Sequence, residues 1–110
     1  MPEFIQVTTT TSTKDEAQRL AEALVSRRLA ACVQVIGPIT STYWWQGKVE
    51  TAEEWQCVAK TERDRFVDLA ATIHKLHSYQ TPEILAVPVV AGDADYNAWM
   101  EAELRREAGL

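Results

Sequence analysis

The sequence predicts an α+β domain of the ferredoxin-like type, a split β-α-β sandwich built as βαββαβ with one further helix at the C-terminus. Two observations carry that reading. Apolar residues change their spacing along the chain in the order strand, helix, strand, strand, helix, strand. The middle of the chain, Leu29 to Thr61, reads as two long antiparallel strands folded at Gln46-Gly47, so that a long β-hairpin protrudes. One such domain occupies residues 1–110, with no linker, repeat or low-complexity segment inside it.

The elements follow from local chemistry. Phe4 to Thr9 is a β-branched first strand, and the polar run through Thr13 is its exit loop. Thr13-Lys14-Asp15-Glu16 has the form of a capping box, a hydroxyl with a carboxylate three residues on. Ala17, Leu20, Ala21, Leu24 and Val25 then repeat at helical spacing to about Arg28. Ala30 to Ile36 is a second strand, and Gly37-Pro38 predicts a bend or bulge before the hairpin resumes, because proline removes a ladder donor. Thr61-Glu62-Arg63-Asp64 repeats the capping pattern, and Phe66, Leu69, Ala70, Ile73 and Leu76 mark a second helix that ends before Pro82. Glu83 to Val90 is a last strand, with Pro88 on an edge or at a break. Gly92-Asp93 supplies a turn and an N-cap for a closing helix carrying Tyr96, Trp99, Met100, Glu103 and Leu104.

Length makes the hairpin informative. Lys48 to Thr61 is 14 residues, which would span about 46 Å unbroken. A domain of this size has a diameter of only about 34 Å. Three of the four tryptophans, Trp44, Trp45 and Trp55, lie near the tip. That much aromatic surface on a projecting ribbon predicts a subunit interface, hence a homo-oligomer. The alternative is a twist and bulge near Glu53-Glu54 that folds the tip back onto its own sheet.

Composition bounds the function. The chain has 110 residues, 46% hydrophobic and 25% charged, with a net charge of −5. An acidic chain without a basic patch disfavours nucleic acid and anionic membrane surfaces as partners. MPEFIQVTT has no charged start followed by an apolar run, and nowhere do 18 apolar residues run together, which places the protein in the cytoplasm. There, Cys32 and Cys57 are expected to be free buried thiols.

Three groups of residues are candidate sites. His74 and His77, three apart on the second helix, sit on neighbouring turns and can share a divalent metal if a further ligand arrives from elsewhere. Lys60 and Glu83 close strands expected to pair or neighbour, where with Tyr79 or Trp45 nearby they would hold a small anionic or zwitterionic ligand. Cys32 lacks a local activating base and reads as a core residue before a nucleophile. There is no P-loop, GxGxxG, GxSxG, HExxH or CxxC.

Taken together, Leu29-Ala30-Ala31-Cys32-Val33, Tyr43-Trp44-Trp45-Gln46-Gly47-Lys48, Lys60-Thr61, His77-Ser78-Tyr79-Gln80-Thr81-Pro82-Glu83-Ile84 and Gly92-Asp93 with Tyr96 and Trp99 resemble the CutA divalent-cation tolerance family. The motifs follow in order over nearly the whole chain. The resemblance implies a ferredoxin-like subunit in a tight homotrimer with hairpins exchanged between neighbours, a role in tolerance of copper and other divalent metals, and no catalysis. It also implies an architecture like that of the trimeric PII signalling proteins, with Cys32, Trp45, Lys60, Tyr79 and Glu83 around the clefts between subunits. Family members with copper ligands carry a cysteine at the end of the first strand and adjacent histidines before a Pro-Tyr. Here those positions are Thr9, Leu76 and His77, and the proline is Ser78. The expectation is therefore a trimeric, cytoplasmic, non-enzymatic protein that holds Cu²⁺ or another divalent metal weakly through His77 and His74 and requires no cofactor. The alternative is a PII-like sensor binding an anionic small molecule through Lys60 and Glu83.

Overall fold

The structure, a computed structural model, describes residues 3–106. Four strands form one sheet in the order β2-β3-β1-β4, with β1 at Phe4–Thr11, β2 at Cys32–Trp45, β3 at Lys48–Glu62 and β4 at Leu85–Pro88. Every pairing is antiparallel. The helices are α1 at Lys14–Ser26, α2 at Phe66–Leu76 and α3 at Ala94–Arg105. This is the predicted ferredoxin-like architecture with its extra helix.

One face of the sheet packs on α1 and α2. Ile5, Val7 and Ala59 from the strands meet Leu24, Leu69 and Ile73 from the helices, and all are buried. A second cluster joins Ala17, Leu20 and Cys57, with Trp55 packed against it. Trp55 is partly buried, and part of its indole packs on its own subunit and not only at the hairpin tip. It is held there by the sheet: Ile36 pairs with Gln56 and Ile39 with Glu54, so Gly37 and Pro38 together stand against Trp55 alone. The expected bulge thus lies at Gly37-Pro38, and a Cβ on residue 37 would sit 2.5 Å from the indole.

Beyond this bulge the sheet narrows. β1 pairs with β3 only as far as Trp55, so Ile39–Trp45 and Lys48–Glu54 form a two-stranded ribbon. The ribbon does not fold back. Trp44 is 75% exposed, with Tyr43, Trp45 and Val49 exposed beside it. The molecule measures 45 Å along its longest axis. At the tip Gln46 and Gly47 have φ of 49° and 78°, the two left-handed residues of a tight hairpin turn, which is why a glycine stands second.

Caps differ between the helices. Thr13 Oγ1 accepts from the Glu16 amide at 3.1 Å and Asp93 caps α3 through the Tyr96 amide at 3.1 Å, both as expected. Thr61 does not cap α2. It stays in β3 and donates its hydroxyl to the Leu29 carbonyl at 2.7 Å, while Arg63–Arg65 forms a short 3₁₀ turn that leads into the helix. α1 stops at Ser26 in a Schellman-type end, with Arg28 at φ 59° and the Leu29 amide bonded back to Leu24. α3 buries Met100 and Leu104, but Tyr96 and Trp99 stay exposed. No helix of the described residues is long and apolar enough to cross a membrane.

Candidate functional site

At the level where β1 ends and the ribbon begins, the turn after α2 meets the start of α1. His77 is the C-cap of α2, and its side chain is fully buried. Its Nδ1 accepts from the Tyr79 amide at 3.0 Å, which fixes the proton on Nε2, and Nε2 donates to the Thr10 carbonyl at 2.7 Å. Both ring nitrogens are committed to backbone. The other candidate ligand, His74, is exposed on α2. The described residues contain no cluster of three His, Cys, Asp or Glu side chains arranged to hold a metal ion.

Glu16 anchors the same turn. Its carboxylate accepts from the Ser78 amide at 2.8 Å and the Ser78 hydroxyl at 2.9 Å. The carboxylate of the predicted capping box is thus turned outward to the residue after His77. It lies in the first turn of α1, where the helix dipole favours negative charge. Tyr79 then crosses to the ribbon, donating its hydroxyl to Glu54 Oε2 at 2.8 Å. Burial, reinforced by the hydrogen bond to Glu54, pushes the Tyr79 phenol up to about 12. Burial and then the charge of Glu16 push the Cys57 thiol up to about 11, so it is a proton-bound, unreactive core group that donates to the Ala17 carbonyl.

The Lys60 group is arranged differently from its expectation. β1 lies between β3 and β4, so β3, which carries Lys60, does not pair with β4, and Glu83 stands outside the sheet, two residues before β4 begins at Leu85. Lys60 is level with Gln6, whereas Leu85 already stands opposite Thr8 and Glu83 lies two residues further on. Along the strands that offset is four residues, about 13 Å. Trp45 is farther still, at the ribbon tip opposite Lys48. Within one subunit, Lys60 has Cys32 and Gln6 as its direct cross-strand neighbours, and its ammonium lies 5.6 Å from the ring centre of Tyr96. Tyr96 and Trp99 pack with centres 5.6 Å apart. Farther along this face Leu85 and Gln34 are uncovered.

Four residues of this region escaped the sequence reading as site residues: Glu16, Glu54, Ser78 and Tyr96. Glu16 left a signal in the capping box, and Ser78 and Tyr96 stand in the motifs that carry the family resemblance.

The chain is thus an α+β protein of the ferredoxin-like class, with a projecting two-stranded ribbon and a His-Ser-Tyr turn anchored by the buried His77 side chain. The family described as CutA1 divalent ion tolerance protein matches residues 5–103. The divalent-cation tolerance protein CutA of Archaeoglobus fulgidus is 37% identical over 101 residues, 92% of this chain and 96% of the relative. CutA1 of Oryza sativa superposes with a TM-score of 0.92 at 34% identity, over 96% of this chain and 97% of the other. The chain belongs to the CutA1 divalent ion tolerance family. One solved relative, the periplasmic divalent cation tolerance protein CutA of Archaeoglobus fulgidus, has a TM-score of 0.90 at 33% identity, over 93% of this chain and 99% of the other. That relative corrects the cytoplasmic expectation. A folded domain of this composition carries no physical mark of its compartment.

Proposed function

We propose that this chain acts in divalent-cation tolerance as a homotrimer, without catalysing a reaction, and that the ribbon is its assembly element. The observation that carries the reading is that the tip is apolar on both faces. Cross-strand partners share a face, so Trp44 and Val49 occupy one side and Tyr43 and Trp45 the other, all exposed. A ribbon laid on a single surface covers one face only. A ring in which each ribbon enters between two neighbours covers both, and three is the smallest ring in which those neighbours differ. Light scattering is expected to give the mass of three subunits. Trp44→Glu is expected to give one subunit at micromolar concentration while changing subunit stability by less than about 0.5 kcal/mol, since the side chain has so little contact within its own chain. A wild-type mass of one subunit at all concentrations would sink the reading.

In this proposal His77 serves the fold, and exposed His74 is the imidazole left for a divalent metal such as Cu²⁺.

A second reading, an anion-binding sensor, is favoured by Lys60. Its ammonium rests on Tyr96 and forms no ion pair among the described residues, in a chain whose net charge is −5. If the sensor reading holds, a panel of phosphate and carboxylate anions raises the melting temperature of the wild type, and Lys60→Ala abolishes the shift. Equal shifts in both proteins would remove it.

A further inference from the structure

We infer that the His77-Ser78-Tyr79 turn is a pH-operated latch on the root of the ribbon: protonation of the His77 imidazole exchanges its partner, the Tyr79 amide, for the Glu16 carboxylate and releases Tyr79. The turn holds three elements with three successive residues. His77 bonds the Thr10 carbonyl near the end of β1, Ser78 bonds Glu16 in the first turn of α1, and the Tyr79 hydroxyl bonds Glu54 of β3. Glu54 stands opposite Ile39, the first pair of the ribbon beyond the bulge. Tyr79 therefore grips the ribbon where it leaves the sheet.

The surroundings of the imidazole supply two states. Its side chain has no exposed surface. Neutral, it donates from Nε2 to Thr10 and accepts the Tyr79 amide at Nδ1, 3.0 Å away. A proton added to Nδ1 sets one N–H against another, so the Tyr79 amide has to turn away. Glu16 Oε2 lies 3.7 Å from the same nitrogen, and each oxygen of that carboxylate accepts one bond from Ser78, which leaves lone pairs free. An approach of about 1 Å gives a charge-assisted hydrogen bond and pairs the buried cation. Ser78 keeps Glu16 in both states, whereas the Tyr79 amide has its partner only while the ring is neutral. The ionisable groups around the ring are Glu16 from α1 and Tyr79 from the turn itself, its ring centre 4.8 Å from that of His77. Beyond them stand Glu54 of β3 at the Tyr79 hydroxyl and Cys57 of β3 near Glu16. Burial keeps the phenol and the thiol protonated, at about 12 and about 11, so neither exchanges a proton in the range where histidine titrates. His74 and Lys75, the basic residues of the last turn of α2, are exposed.

The test is nitrogen NMR of the imidazoles together with amide hydrogen exchange at about pH 7 and about pH 5, either side of the ordinary histidine value of about 6.5. The chain has 2 histidines, so His74→Gln leaves His77 as the one imidazole signal. At the higher pH His77 is expected as the Nε2–H tautomer. At the lower pH it is expected as the imidazolium, with the protection factor of the Tyr79 amide lowered about tenfold and that of the Ser78 amide unchanged. Glu16→Gln keeps an oxygen for the Ser78 amide but removes the counter-charge, and Tyr79 is expected to stay protected at the lower pH. Tyr79→Phe removes the grip and leaves the ring: its ribbon amides are expected to show at the higher pH the loss of protection that the wild type shows only at the lower. A ring that stays neutral at the lower pH, or one that titrates with Tyr79 still protected, overturns the latch. So does a loss of protection at Tyr79 and Ser78 together, which is acid unfolding of the turn. Release of Tyr79 in Glu16→Gln as in the wild type overturns the exchange of partners, and ribbon amides that still respond to pH in Tyr79→Phe overturn the hold on the ribbon.

Discussion

His77→Ala is expected to lower the unfolding free energy by about 2–4 kcal/mol and to leave Cu²⁺ affinity unchanged. The first half follows from what the imidazole does. It fills a site closed to solvent and bridges the Thr10 carbonyl at the end of β1 to the Tyr79 amide. Alanine leaves a cavity and two backbone groups without partners. The second half follows from the same geometry, because a metal on either nitrogen would first have to break one of these bonds. Denaturant unfolding measures the first quantity, and calorimetric titration of metal-free protein with Cu²⁺ measures the second. Saturable Cu²⁺ binding that disappears in His77→Ala but persists in His74→Ala would put the metal on His77 and overturn this assignment.

The turn after α2 also marks where the sequence stops being legible. The strands and helices were readable because each buries one face at its own period: Leu20 and Leu24 on α1, Leu69 and Ile73 on α2, and Val7 and Ala59 across the sheet. The ribbon was readable from length alone, since its two strands exceed what a domain of this size can cover. Pairs brought together by tertiary contact were not readable. Glu16 and Ser78 are 62 residues apart, and nothing local distinguishes a carboxylate that caps its own helix from one that reaches across to another turn. The packing of Trp55 on its own subunit was not readable for a related reason. Its distance from the tip in sequence could be counted, but the bulge that turns its indole onto Ala17 and Leu20 depends on two residues of the opposite strand. The expected neighbouring of Lys60 and Glu83 within one subunit failed on strand order, because β1 inserts between β3, which carries Lys60, and β4, which begins two residues after Glu83.

That bulge leads to the other large effect. Gly37→Ala is expected to destabilise the subunit by about 1–3 kcal/mol and to weaken the proposed trimer beyond what the lost stability explains. A Cβ at residue 37 would lie 2.5 Å and 2.8 Å from two atoms of the Trp55 ring and 3.1 Å from its Cα. The ring can yield only by leaving the Ala17, Leu20 and Cys57 cluster, and the Cα only if the ladder shifts. A bulge sets the local twist of a strand pair, so a shifted ladder at Gly37 redirects everything distal to it, including Trp44 and Trp45. The two contributions are separable. Trp55→Leu removes the ring and costs stability by itself, but Gly37→Ala added to it should cost clearly less than in the wild type, the non-additivity expected of residues in contact. Denaturant unfolding of the four proteins gives that coupling, and light scattering on the same samples gives the assembly. Additive effects would show that Gly37 does not act through Trp55. A Gly37→Ala protein that loses stability but keeps the wild-type dissociation concentration would show that the bulge fixes the core without aiming the ribbon.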